Sequence, residues 1–151
     1  MVEDVDAVVV GAGQAGLATS HELSARNVEH VVLEAGTPGS SWLRWWDSFT
    51  LVGPNRTISL PGAAYDGDDP DGFMSASEIS DHLQRYAGRL KVDVRAHTPV
   101  RRVTPQGGLF LVDTEAGTLR ARTVVLAAGA YQRPLRPAAL ARVGVVPRPH
   151  R

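Results

Sequence analysis

The spacing of apolar and polar positions divides this chain into a short series of elements. Val5-Asp6-Ala7-Val8-Val9-Val10 is nearly continuous in its apolar character, as expected of a central parallel strand buried on both faces. A helix is predicted over about Gln14 to Arg26. The small Ala15 and Ala18 with Leu17 and Leu23 give it a surface that can lie on a sheet, and Asn27 is a left-handed C-terminal cap. His30 to Glu34 then reads as a second parallel strand, which completes a right-handed crossover. From Gly36 to Pro61 no period is sustained. Trp42, Trp45 and Trp46 fall within five positions there, and a stretch this long and this aromatic predicts a structured loop with a functional role.

Ser75-Ala76-Ser77-Glu78 has the form of a capping box, and Ile79, Leu83, Tyr86 and Leu90 follow at helical spacing. A second helix to about Leu90 is expected. Val92 to Val94 reads as a strand. Pro99 to Val103, Leu109 to Thr114 and Thr118 to Arg122 predict a three-stranded antiparallel meander, with turns at Gln106-Gly107-Gly108 and Ala116-Gly117. Thr123 to Ala127 is a further strand of the buried type, ending in the small pair Ala128-Gly129, where a backbone or ligand must come close.

The order strand, helix, strand gives the first loop its meaning. Gly11-Ala12-Gly13-Gln14-Ala15-Gly16 sits between the first strand and the first helix, and Glu34 follows eighteen residues after Gly16. A G-x-G-x-x-G motif in this context, with an acid at that distance, points to a dinucleotide site. Gly11 permits the turn out of the strand, Gly13 leaves room for a pyrophosphate at the backbone, and Gly16 lets the helix lie close to the sheet. The pyrophosphate would rest at the positive end of the helix that begins near Gln14. Glu34 suits the hydroxyls of an adenosine ribose and would repel a 2′-phosphate, so the first nucleotide is expected to be FAD or NAD and not NADP. The fold class is α/β: a Rossmann-like domain with a parallel βαβ core and an antiparallel three-stranded meander.

Composition narrows the chemistry. The 151 residues are one domain's worth, with 43% apolar content, and no apolar run approaches the roughly eighteen residues of a membrane span. The acidic start Met1-Val2-Glu3-Asp4 is unlike a signal peptide, which predicts a soluble, cytoplasmic protein with no export and no membrane partner. Cysteine does not occur, so these residues supply no redox dithiol, thiolate nucleophile or cysteine-bound metal, and disulfide reduction is excluded as their chemistry. Formal charge is zero but uneven. All 16 acids lie at or before Glu115, and seven arginines fall between Arg120 and Arg151. Those arginines are interleaved with prolines and have no aromatic platform beyond Tyr131, which argues against nucleic acid and for a poorly ordered tail over 132–151. Four aspartates between Asp66 and Asp71 miss calcium-loop spacing, since Asp71 stands where glycine and Ser77 where glutamate is required. They predict a solvated turn. His82, beside the apolar stripe of the second helix, is expected to be a packed or surface residue, and no histidine has metal-ligand spacing. No metal is predicted.

With these pieces placed, the chain resembles the N-terminal part of the flavoprotein monooxygenases that carry two dinucleotide-binding domains, a group that includes flavin-containing, Baeyer–Villiger-like and plant indole-pyruvate monooxygenases. Gly11 to Gly16, Glu34, Trp42 to Ser48 with Trp46-Asp47-Ser48, Tyr65 to Met74 and Ala127 to Pro134 carry the resemblance. It implies FAD as cofactor, with Gly11, Gly13, Gln14, Ala15 and Gly16 on its pyrophosphate and Glu34 on its ribose. It further implies Ser41 and Trp42 near the ribityl and flavin end, Val100 at the adenine, and Ala128-Gly129 in place of the family's Ala-Thr-Gly turn. Trp45 is expected to be core packing.

The family also implies NADPH held by a second glycine-rich loop. After Gly108 this chain has only Gly117, Gly129 and Gly144, too dispersed to form one. The expectation is therefore the FAD-binding segment, residues 1–131, of an NAD(P)H-dependent flavin monooxygenase acting on a small organic substrate, resembling a truncated product and able to associate through the edge of its incomplete domain. A non-catalytic dinucleotide-binding module or partner subunit is the alternative, and an amine or hydroxy-acid oxidase would leave Trp46-Asp47-Ser48 unexplained. No catalytic acid or base is named.

Overall fold

In a computed structural model the described residues are 2–130. The segment 132–151 and the Tyr131 to Pro134 part of the resemblance lie outside them. The chain runs β1 (Val2–Val10), α1 (Gln14–Ala25), β2 (His30–Leu33), α2 (Ala76–Arg89), β3 (Asp93–Arg95), β4 (Val100–Gln106), β5 (Leu109–Thr114) and β6 (Gly117–Leu126), with short 3-10 turns at Ser40–Arg44 and Asn55–Thr57. One six-stranded sheet has the order β3-β2-β1-β6-β5-β4. β1 pairs in parallel with β2 and with β6, β2 pairs in parallel with β3, and β4-β5-β6 is the antiparallel meander. The fold is α/β and Rossmann-like, as the periodicity predicts.

Two cores follow from the period-two alternation of the central strands. Val9 and Val32 face a cluster with Ala12 and Leu17 near the start of α1, Ile79, Leu83 and Tyr86 of α2, and the loop residues Leu60 and Met74. Val8, Val31 and Leu33 face the other way, onto Val112, Leu119 and Ala121, with Val100 and Val103 packed against them. In a flat sheet β2 and β4 would stand four strand spacings apart, about 19 Å. Their shared cluster shows that the meander folds back over the parallel core and covers its second face.

The structure moves several expected boundaries. β1 begins at Val2 because its first residues find partners: Val2 to Val5 lie opposite Thr118 to Ala121 in parallel register. Glu3 with Arg95 and Asp4 with Arg120 add cross-strand ion pairs there. The same long template joins the third meander strand and the last parallel strand, expected as two elements, into the single β6. Its far half is also less covered than expected. β5 leaves β6 at Ala121, and among the described residues Arg122 to Leu126 have β1 as their pairing strand, with Leu126 73% exposed. The local signals hold elsewhere. Ser75 and Glu78 form both halves of the capping box, and Asn27 takes a left-handed φ of 56° after α1.

Asp66, Asp68, Asp69 and Asp71 are all exposed, as expected of a solvated turn, and the 50–75 segment around them is held by specific bonds. Asn55 is buried; its Nδ2 donates to the Asp69 carbonyl at 2.8 Å and its Oδ1 accepts from the Met74 amide at 2.7 Å. Asp66 pairs with Arg89 at 2.8 Å, and Asp71 pairs with Arg56.

His82 lies beneath this segment, fully buried, and neither ring nitrogen has a hydrogen-bond partner; Nδ1 is 3.8 Å from Asp66. Burial holds its pKa below the ordinary value, helped by Arg85 and Arg89 and opposed by Asp66. A histidine with a lowered native pKa favours folding above its unfolded value of about 6.5, and that contribution is lost as pH falls below it. Urea midpoints should therefore drop from pH 7.5 to pH 5, and His82→Phe should flatten the dependence. An unchanged slope in the variant would remove His82 as its source.

Candidate functional site

The glycine loop leaves the C-terminal end of β1, and each glycine has a different surrounding. Gly11 has φ of +106°, and a Cβ there would meet the Ala127 carbonyl oxygen at 2.5 Å. Gly16 is tighter still: a Cβ would stand 1.8 Å from the Gly11 carbonyl oxygen. Those two positions are closed by backbone. Gly13 is the opposite, with nothing within 4 Å of a Cβ position and an ordinary φ of −81°. It is the N-cap of α1, provides no side-chain cap, and the first turn contains no acidic residue. The amides of the first turn, Gln14 and Ala15 among them, have no acceptor within the helix. An open backbone at the positive end of a helix is suited to a phosphate or pyrophosphate.

The other expected residues converge on this loop from neighbouring strand ends. Glu34, directly after β2, accepts the Ala12 amide on Oε2 at 2.7 Å and the Gly36 amide on Oε1 at 2.8 Å. A carboxylate has about four acceptor positions, so two remain for the hydroxyls of a ribose. Thr98 donates its amide to the Glu34 carbonyl at 2.7 Å, which brings Val100, two residues on and half-buried, into the neighbourhood of Glu34. Ser41 and Trp42 are brought in from the long loop by Gly39, whose amide donates to the Ala12 carbonyl at 3.0 Å. Trp42 packs against the first core cluster. Ala128-Gly129 continues from Ala127, whose amide donates to Val10 at 2.9 Å and whose carbonyl abuts Gly11. All eleven expected positions thus lie at or near the C-terminal ends of β1, β2 and β6, where open α/β sheets bind ligands.

Trp45 is partly buried and stands in an aromatic group with Trp42, Trp46 and Phe49, at centroid separations of 5.0 to 6.3 Å; Trp42 and Phe49 in turn pack against the first core cluster. Trp46 is 49% exposed. Sequence reasoning passed over Gly39, with φ of +74° and a Cβ position 2.9 Å from Leu83, although Pro38-Gly39 is a readable turn signal.

A concavity of about 620 Å³ is elsewhere. It lies towards the far end of β1, lined by Asp4, Asp6, Glu29, Arg120 and Arg122, and includes no residue of the glycine loop. The site at the strand ends is open over Gly13, where nothing lies within 4 Å of a Cβ position. Among the described residues no group of three or more His, Cys, Asp or Glu side chains is placed to hold a metal, and no helix is long and apolar enough to cross a membrane.

A family model described as pyridine nucleotide-disulphide oxidoreductase matches residues 8–141. The chain belongs to that family. Within it the likeness is to the N-terminal region of flavin monooxygenases. A flavin-containing monooxygenase from Stenotrophomonas maltophilia superposes with a TM-score of 0.83 and 29% identity over 90% of this chain and 42% of that one. An uncharacterized CzcO-like oxidoreductase from Geobacillus kaustophilus is 35% identical over 134 residues, 88% of this chain and 38% of that protein. A probable indole-3-pyruvate monooxygenase, YUCCA8 of Arabidopsis thaliana, is 33% identical over 122 residues, 78% and 28% of the two chains. The chain spans less than half the length of each. Although the family's name includes disulphide chemistry, these 151 residues contain no cysteine and supply no dithiol of their own.

Proposed function

We propose that this chain is the FAD-holding part of an NAD(P)H-dependent flavin monooxygenase or closely related cytoplasmic oxidoreductase acting on a small organic substrate. The observation that carries the reading is the open space over Gly13 at the start of α1, beside a glutamate fixed at the end of β2. In this reading the first-turn amides of α1 hold the pyrophosphate, Glu34 receives the adenosine ribose and Val100 the adenine. Ser41 and Trp42 flank the ribityl and flavin end, and Ala128-Gly129 closes the site next to Gly11. The cofactor, when bound, supplies two-electron redox chemistry and oxygen activation; the chain binds, orients and shields it.

Hydride delivery is a separate requirement, because a nicotinamide must be held against the flavin. The glycines after Gly108, at 117, 129 and 144, are too dispersed in sequence for a second glycine-rich loop. We therefore expect the 151-residue chain to bind FAD without using NADPH efficiently. In stopped-flow mixing of the FAD-loaded chain with NADPH, flavin bleaching should stay well below about 1 per second. Saturable reduction at that rate or faster, with an oxygenated product, would show that these residues hold the nicotinamide as well. A chain that retains no flavin would favour the alternative of a non-catalytic module.

A further inference from the structure

Glu34 has a second task in the geometry of the loop, independent of any ribose. Its main chain is fixed on both sides: its amide donates to Arg95 at 2.9 Å and its carbonyl accepts from Thr98 at 2.7 Å. The side chain reaches back over 22 residues to take the Ala12 amide at 2.7 Å, while its other oxygen takes the Gly36 amide at 2.8 Å. Ala12 is fully buried, and its carbonyl is held from the other side by the Gly39 amide. The Ala12 peptides are thus gripped by Glu34 and Gly39 together, immediately before Gly13 and the first turn of α1.

We propose that Glu34 is a positioning residue for the phosphate cradle, and that a carboxylate is required there because two backbone donors, Ala12 and Gly36, face its two oxygens. This rests on the dinucleotide reading of the site but assigns the energetic effect of Glu34 partly to the pyrophosphate end of the ligand. A glutamine has one acceptor oxygen, and its NH₂ group would face a second donor. One amide would then lose its partner, and the loop would no longer be held in its binding geometry before the ligand arrives. A ribose hydroxyl, by contrast, can donate to or accept from a glutamine.

The test crosses Glu34→Gln with two ligands, FAD and an FAD analogue lacking both hydroxyls of the adenosine ribose, at a temperature where circular dichroism shows both proteins fully folded. We expect the substitution to weaken both ligands by a similar factor, about tenfold or more. A penalty that appears with FAD and disappears with the analogue would confine Glu34 to ribose recognition and overturn the proposal, as would unchanged binding of both. Amide hydrogen exchange in the ligand-free protein supplies a second readout. The Ala12 amide should be protected in the wild type and faster in Glu34→Gln. Rapid Ala12 exchange in the folded wild type refutes the brace even if the variant fails to fold. Failure of the wild type to bind FAD would instead refute the cofactor reading, leaving Ala12 exchange to decide the brace.

Discussion

Gly16→Ala should destabilise the chain severely. The added methyl would lie 1.8 Å from the Gly11 carbonyl oxygen, a backbone atom of the same peptide as the Ala12 amide, which donates to Glu34 Oε2 at 2.7 Å. Neither the start of α1 nor the end of β1 can move alone, since Leu17 next to Gly16 and Val9 next to Val10 are fully buried in one cluster. Overpacking of this kind costs about 3 kcal/mol, a large part of the 5 to 15 kcal/mol that holds a typical domain. For a chain of this length the melting temperature should fall by about 10 °C. A variant that melts with the wild type would show that α1 does not sit this close to the sheet.

Gly13→Val, three residues earlier in the same motif, should do the reverse. Nothing lies within 4 Å of the new Cβ, and the φ of −81° suits any residue. Valine is a poor N-cap, so stability falls by about 1 kcal/mol, leaving far-ultraviolet circular dichroism essentially unchanged. The branched side chain would occupy the space over the first-turn amides. Loss of those contacts to a charged pyrophosphate, at about 1.5 to 3 kcal/mol for each charge-assisted bond, should reduce dinucleotide affinity at least a hundredfold. Wild-type affinity in a folded Gly13→Val protein would remove the pyrophosphate from this loop.

The contrast between these glycines was readable in the sequence because each role is local: a turn, an opening and a close approach within six residues. The capping box at Ser75 and the cap at Asn27 were legible for the same reason. Contacts between distant parts of the chain were not. The length of β6 depends on Val2 meeting Thr118, and no local pattern near residue 122 shows that the strand continues. The buried Asn55 orders its segment through residues 14 and 19 positions away, so the backbone of the acidic run is anchored while its carboxylates face solvent as the sequence reads. Trp45 and Trp46 have identical side chains and adjacent positions, and only the path of the loop decides their exposure. Glu34 was found by spacing as a ribose acceptor. Its bonds to Ala12 and Gly36 required the folded loop.

The central claim is that the site at the ends of β1 and β2 binds FAD with its ribose at Glu34. Calorimetric titration of the purified chain with FAD and, separately, NADPH tests it most directly. The carboxylate of Glu34 leaves no favourable place for a 2′-phosphate, so FAD should bind at one site and much more tightly than NADPH. Tighter binding of NADPH, or no heat and no retained flavin absorbance with FAD, would contradict the account.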